Sequence, residues 1–331
     1  MSTRRTLISQ ALFAAAGATL GSSAWSQSAT MRISHAANEA DWLHKSLTMF
    51  KEKVEAALPG QVAVQVHGAS SLFRQGTEVP ALQRGNLEMS TMTTFEVDQQ
   101  MPEYGVFSSG YLFRDYPHLA KVMRGPIGKE YYDAVAAKMG IQIIEVCYLG
   151  TRQVNLRTYR DVKVPADLNG VKLRMPAGPG WLALGKGLGV SPTPMAMPEV
   201  YLAMKTGTVD GQENPLALAK ANNLQEVSQQ FVMTSHLVQP VFYAFAKPWW
   251  DKLTAAQQTA IRKAAGESAR YNDENRTKDE ADAVAFFEKA GLKVTTPNLD
   301  AFRASVAKEY QTSGLAAKWA PGLKERIVAV Q

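Results

Sequence analysis

Period-two alternation in "TMRISHA" (residues 30–36) and "QVAVQVHG" (61–68) predicts two strands. Between them Leu43, Leu47, Phe50, Val54 and Ala57 recur at helical spacing and predict a helix over 41–57. "TEVPALQRG" reads as a short helix that Gly85 closes, ahead of a strand in "LEMSTM". Strand, helix, strand, helix, strand in that order implies an α/β domain with a largely parallel sheet.

The pattern starts again near "QIIEVCYLGTRQV", a strand followed by a polar turn. "GVKLRMP" (170–176) reads as a strand and "WLALGKGLG" as a helix ending at Gly189. "MPEVYLAMKTG" has Pro198 near its start and Gly207 at its exit, the asymmetry of a helix, and the strand-like "TVDGQENP" follows. "ALQRGNLE" (81–88) and "AMKTGTVD" (203–210) both read as helix, Gly stop, strand, at similar places in the two halves. That suggests two lobes of related design with a ligand cleft between them. Beyond them "LTAAQQ" offers a capping box, Thr254 with Gln257. A helix from about 255 to 290 would be about 50 Å long at ~1.5 Å per residue. Either it breaks near Gly266 or it crosses both lobes as a brace, and the brace is the expectation.

The first residues have another character. Arg4 and Arg5 precede an uncharged run with small residues and an Ala-x-Ser exit at Ala24 and Ser26, which reads as a secretory signal peptide over 1–26. "TRRTLI" also resembles a twin-arginine signal, so either export route fits. Losing that segment takes the formal net charge from +6 to +4, because it carries only those two charges. The remaining basic residues are scattered, which argues against a nucleic-acid surface, and no further long apolar stretch predicts stable membrane insertion. Cys147, the single cysteine, lies in the apolar "IQIIEVCYLG" and reads as a packed core thiol; it excludes an internal disulfide.

Catalytic and cofactor signatures are missing. "DGQENP" does not satisfy a calcium loop, and the five histidines show no HxH or HExxH spacing. There is no GxSxG, GxGxxG or P-loop, so no cofactor is expected and enzyme activity is not. His35 and His67 each follow a strand, where either a cleft contact or an ordinary hydrogen-bonded histidine fits. Two arginines say more. Arg152 follows the strand "EVCYLGT", and Arg174 lies within "GVKLRMP", just before the Pro/Gly turn "MPAGPGW". An arginine in a strand is costly unless paired or solvated. At a strand end, where α/β ligands sit, a guanidinium presents a bidentate fork to a carboxylate.

"GVKLRMP…GVSPTPMAMPEVYLAMKTGTVDGQENP" resembles the substrate-binding proteins of tripartite ATP-independent periplasmic (TRAP) transporters, in the branch named for C4-dicarboxylates. "LGTRQVNLRT" and "FFEKAGLKV" fit the same pattern, and the likeness extends over essentially the whole mature chain. The resemblance implies a two-lobed α/β fold of the periplasmic-binding-protein type II kind, with crossing strands and a long bracing helix. It implies lobe I over 27–149 with about 239–280, lobe II over 150–238 with about 281–305, and a C-terminal helical segment over 306–331. It implies a periplasmic protein that closes over a small organic acid and delivers it to a TRAP membrane permease. The carboxylate-binding arginine falls on Arg174, a second arginine on Arg152, and the ligand-facing amide on Asn214.

Two departures argue against sialic acid. Pro176 is followed by Ala177 where sialic-acid binders have Asn, and Met197 stands in place of an aromatic. A sugar acid such as a uronate would use Asn214, Gln75, Gln239 and His35. A C4-dicarboxylate would need a second cation such as Arg152. Within "TVDGQENP", Pro215 holds Asn214 extended, while Glu213 is expected to tie the hinge region together rather than touch ligand. An ATP-driven uptake protein or a secreted α/β enzyme acting on sugar acids remain the rival readings.

Overall fold

The computed structural model describes residues 29–331, so the expected leader over 1–26 lies outside the described residues. One mixed sheet runs through both halves. Its strands are β1 (Ala29–Ser34), β2 (Val62–His67), β3 (Met89–Met92), β4 (Ile141–Leu156) and β5 (Lys172–Met175). β6 (Ser191–Pro194), β7 (Gly211–Pro215), β8 (Gln230–Ala246) and β9 (Lys293–Thr295) complete it. The spatial order is β2-β1-β3-β8-β4-β7-β5-β6, with β9 beside β8.

Read from either end, that order is the same. β2-β1-β3 and β6-β5-β7 are each parallel within themselves. Each docks antiparallel on one long strand, β3 on β8 and β7 on β4. The chain thus builds β-α-β-α-β twice, and the two lobes share the antiparallel pair β4/β8. The two matching stretches of sequence fall at equivalent places. Gly85 (φ 71°) and Gly207 (φ 75°) both take the left-handed turn between a helix and the strand that docks on the shared pair.

Apolar periodicity becomes packing on both faces of the sheet. In the first lobe Leu43, Leu47 and Phe50 of helix Trp42–Ala57 meet Met31, Ile33 and Val64, while Phe107, Tyr131 and Val135 cover the other face. Cys147 is buried in the same interior. In the second lobe Leu173, Leu184 and Val306 form one core, and Val200, Met204 and Phe287 form the other. The segment assigned to a C-terminal unit over 306–331 is shared between lobes. Helix Leu299–Thr312 runs across that boundary and packs Phe302, Val306 and Tyr310, one stripe at i, i+4, i+8, into the second lobe. Helix Leu323–Val328 sends Leu323 and Ile327 into the first.

The long helix spans Ala255–Lys289, and its Thr254/Gln257 capping box is present. Gly266 does not break it. Ile261, Ala265 and Ala269 pack in the first lobe, and Ala283 and Phe287 in the second, so it braces both.

The strand does not end before Arg152 as expected, because β4 continues to Leu156 and carries Arg152 inside it. The physical reason lies in the long helix. The β4/β8 register shifts between Tyr148 and Gly150, where Pro240 opposite Tyr148 has no N–H to give. Helix side chains supply the missing partners. Asp273 accepts from Tyr148 N–H (2.7 Å), Asn272 donates to Tyr148 C=O (2.9 Å), and Glu280 accepts from Thr151 N–H (2.8 Å). Gly150 itself (φ 130°) sits where a Cβ would lie 2.4 Å from Pro215, so the bend admits no side chain.

Candidate functional site

A cavity opens between the lobes at the crossing strands. Its walls include Ala36, Gln75, Glu78, Thr91, Thr93 and Glu96 from the first lobe, and Arg174, Pro176, Trp181, Met197 and Asn214 from the second. Arg152, Leu149, Gln239 and Val241 of the crossing pair also line it.

β5 buries Arg174, which is 1% exposed. Its Nε donates to Met195 C=O (2.8 Å), Nη1 lies 3.8 Å from Met197 Sδ, and Nη2 lies 3.4 Å from Gln75 Oε1. Among the described residues no carboxylate is within ion-pair distance of it. Burial pushes its pKa down to about 9, with Glu213 opposing and Arg152 reinforcing the shift, so the charge persists at neutral pH. A buried cation lacking a counter-charge is expensive, and an anion in the cavity would relieve it.

Arg152 is equally buried but already matched. Its Nε and Nη2 fork onto Glu213 (2.5 and 2.6 Å), Nη2 also donates to Glu213 C=O (2.7 Å), and Nη1 donates to Gln239 Oε1 (2.6 Å). His236 Nε2 lies 3.0 Å from the same carboxylate. Burial pushes the Glu213 carboxyl up, but the Arg152 charge and the hydrogen bonds from His236 and Arg152 outweigh it and hold it below the usual range. Glu213 of β7 therefore ties β4 and β8 together. The expected second free cation is thereby neutralised inside the protein, though Arg152 still borders the cavity and lies over Trp181, 4.7 Å from the ring centre.

The amides divide similarly. Asn214 is buried, with Nδ2 donating to Gln212 Oε1 (2.5 Å) and lying 3.6 Å from Met197 Sδ. Gln75 Oε1 accepts from Met197 N–H (2.7 Å), joining the first lobe to the second. His35 is not brought to the cavity with the others. It is buried, its ring centre 5.2 Å from that of His44, with neither ring nitrogen hydrogen-bonded among the described residues. Burial and the neighbouring His44 push its pKa down to about 3, so it is neutral.

Sequence reasoning missed Trp181, Glu78, Glu96 and the two threonines. Trp181 follows the Gly-rich turn after Arg174, and that proximity was the available signal. It stacks on Phe95 of the opposite lobe, centres 3.7 Å apart and planes at 10°. Gly180 allows this approach, since a Cβ there would lie 2.7 Å from Asp98 Oδ2 and 3.1 Å from the Phe95 ring. Arg74 with Glu199 (2.7 Å) and Asn38 with Ala221 C=O (2.9 Å) also join the lobes across the cleft.

No group of three or more His, Cys, Asp or Glu side chains is placed to hold a metal among the described residues. None of their helices is long and apolar enough to cross a membrane.

The model of the bacterial extracellular solute-binding proteins, family 7, matches residues 33–315. The chain belongs to that family. Its fold is the two-lobed fold of TRAP solute-binding proteins. One from Roseobacter denitrificans, solved with bound 3-deoxy-D-manno-oct-2-ulosonic acid, is 38% identical with a TM-score of 0.87, covering 92% of this chain and 100% of that one. A second from that organism, with bound β-D-glucuronate, is 27% identical with a TM-score of 0.85, covering 91% and 100%. A further Roseobacter denitrificans solute-binding protein is 30% identical, over 87% of this chain and 90% of its own. TRAP solute-binding proteins are periplasmic and bind solutes rather than transform them, which sets the secreted-enzyme reading aside.

Proposed function

We propose that this protein is the exported, periplasmic binding subunit of a TRAP uptake system, and that it takes up a sugar acid by its carboxylate on Arg174. One observation carries the reading: Arg174 is a buried guanidinium, bordering the cavity, with no carboxylate at ion-pair distance among the described residues. A ligand carboxylate would supply the missing charge and accept the planar fork. Asn214, Gln239 and Gln75 border the same space and offer amides to hydroxyl groups. Arg152 then acts through Glu213 and Gln239, holding Gln239 in place rather than serving as a second anion site. That arrangement disfavours a C4-dicarboxylate, which would need two free cations.

The ligands named for similar proteins support the sugar-acid class, and the eight-carbon acid of the 38% identical protein widens it beyond uronates. We assign lobe I to 27–149 with about 239–280, and lobe II to 150–238 with about 281–305, meeting at the β4/β8 bend. The closed lobes would present one face to a membrane permease. A thermal-shift panel of uronates, aldonates, 3-deoxy-D-manno-oct-2-ulosonic acid, succinate and malate tests the reading. Stabilisation by a sugar acid, confirmed by titration calorimetry, is expected; stabilisation by the C4 acids alone would sink it.

A further inference from the structure

Two carboxyl groups also border the cavity. Glu78, at the start of helix Glu78–Gln83, is 7% exposed, and Glu96, in helix Thr94–Asp98, is partly buried; both border the cavity from the first lobe. Each has one oxygen engaged locally. Glu78 Oε2 accepts from Gly76 N–H (2.7 Å), and Glu96 Oε2 accepts from Thr93 N–H (2.9 Å) and from the Thr93 hydroxyl. No side chain donates to the other oxygen of either among the described residues, although backbone N–H groups of Thr77, Glu78 and Glu96 also lie near the two carboxylates. Neither carboxylate pairs with Arg174 or Arg152, although all four border one space.

We propose that Glu78 and Glu96 form a hydroxyl-reading wall that makes the cavity accept a polyhydroxylated monocarboxylate and reject an acid with a second carboxylate at its far end. The proposal rests on the sugar-acid reading above and deepens it. With the ligand carboxylate on Arg174 from the second lobe, the rest of the molecule extends toward the first. There it meets two carboxyl groups and the hydroxyls of Thr91 and Thr93. Ligand hydroxyls can donate to the unengaged oxygens, and donors to charged acceptors form the stronger hydrogen bonds. A ligand carboxylate in that place has no proton to donate and meets like charge in a partly dry site. Burial pushes both carboxyls up, Glu78 to about 7, so the rejection of a second carboxylate is strongest above that pH, where Glu78 carries its charge.

The test uses the full mature chain and the sugar acid of the panel that binds it most tightly. That acid is paired with its counterpart carrying a carboxylate at the other end of the carbon chain. Wild type should bind the diacid at least about tenfold more weakly; equal or tighter binding of the diacid overturns the proposal with no variant needed. Glu78→Gln and Glu96→Gln keep shape and an acceptor while removing charge. Each should weaken monoacid binding by about tenfold and narrow the preference by a similar factor. Folded variants with the wild-type preference overturn it. Those two results leave the sugar-acid reading standing. If no sugar acid binds wild type at all, both readings fall together, and the two failures are thereby told apart.

Discussion

The two lobes share a strand order and differ in what they show the cavity. β2-β1-β3 and β6-β5-β7 are the same construction, each entered through a helix and a left-handed glycine. Yet the second lobe presents a guanidinium with no carboxylate on it among the described residues, while the first presents two carboxyls and two threonine hydroxyls. Apolar periodicity built the common frame, and a few polar side chains near strand ends gave the halves opposite characters. The same contrast recurs within one lobe. Arg152 and Arg174 are both buried, but only Arg152 has its carboxylate.

The largest expected effect comes from breaking that pairing. Glu213→Ala leaves Arg152 and His236 without their shared partner, and loss of one member of a buried pair costs about 3–5 kcal/mol. Urea unfolding should show it; a loss below about 1 kcal/mol would mean that Glu213 does not tie the crossing strands. Next is Arg174→Ala, expected to cost about 2–5 kcal/mol of ligand affinity with little loss of fold. Arg174→Lys should also bind poorly, because a point charge lacks the fork. Calorimetry giving wild-type affinity for either would move the carboxylate elsewhere.

Gly180→Ala comes third. Its Cβ would press on Asp98 and Phe95 across the cleft, and strain of this kind costs about 1–3 kcal/mol. It should weaken binding and reduce ligand-induced compaction in small-angle scattering, because the strain falls on lobes closed against each other and is relieved as they open. Unchanged compaction would show that the lobes do not close on the Phe95–Trp181 stack. The smallest effect concerns pH. Burial raises Glu78 from 4.5 to about 7, so its contribution to stability is present below about pH 4.5 and is lost as pH rises through 7. Glu78→Gln removes that loss. The variant should therefore gain in melting temperature relative to wild type between pH 5 and pH 8, and a constant difference across that range would contradict the burial.

Much of the frame was legible because periodicity and stop signals are local. The alternation of 30–36 and 61–68, the glycine exits at Gly85 and Gly207, and the Thr254 cap all act within a few residues. β8 was not legible, since it is buried almost throughout, does not alternate and carries Pro240. Nor was the continuation of β4 through Arg152, because Asn272, Asp273 and Glu280, which complete it, lie more than a hundred residues on. His35 looked like a cleft residue from its place after a strand, but its side chain turned into the first lobe.

By itself the sequence determined two repeated α/β units, a bracing helix and an arginine-bearing strand before a Gly/Pro turn. Each depends on spacing along the chain, and the family's string of motifs sharpened all three. Only the tertiary structure decided which arginine keeps its charge available, and that Glu78 and Glu96 border the same cavity. The net charge of a buried site depends on partners distant in sequence, such as Glu213 and Arg152, 61 residues apart. Sequence spacing cannot report which of them meet.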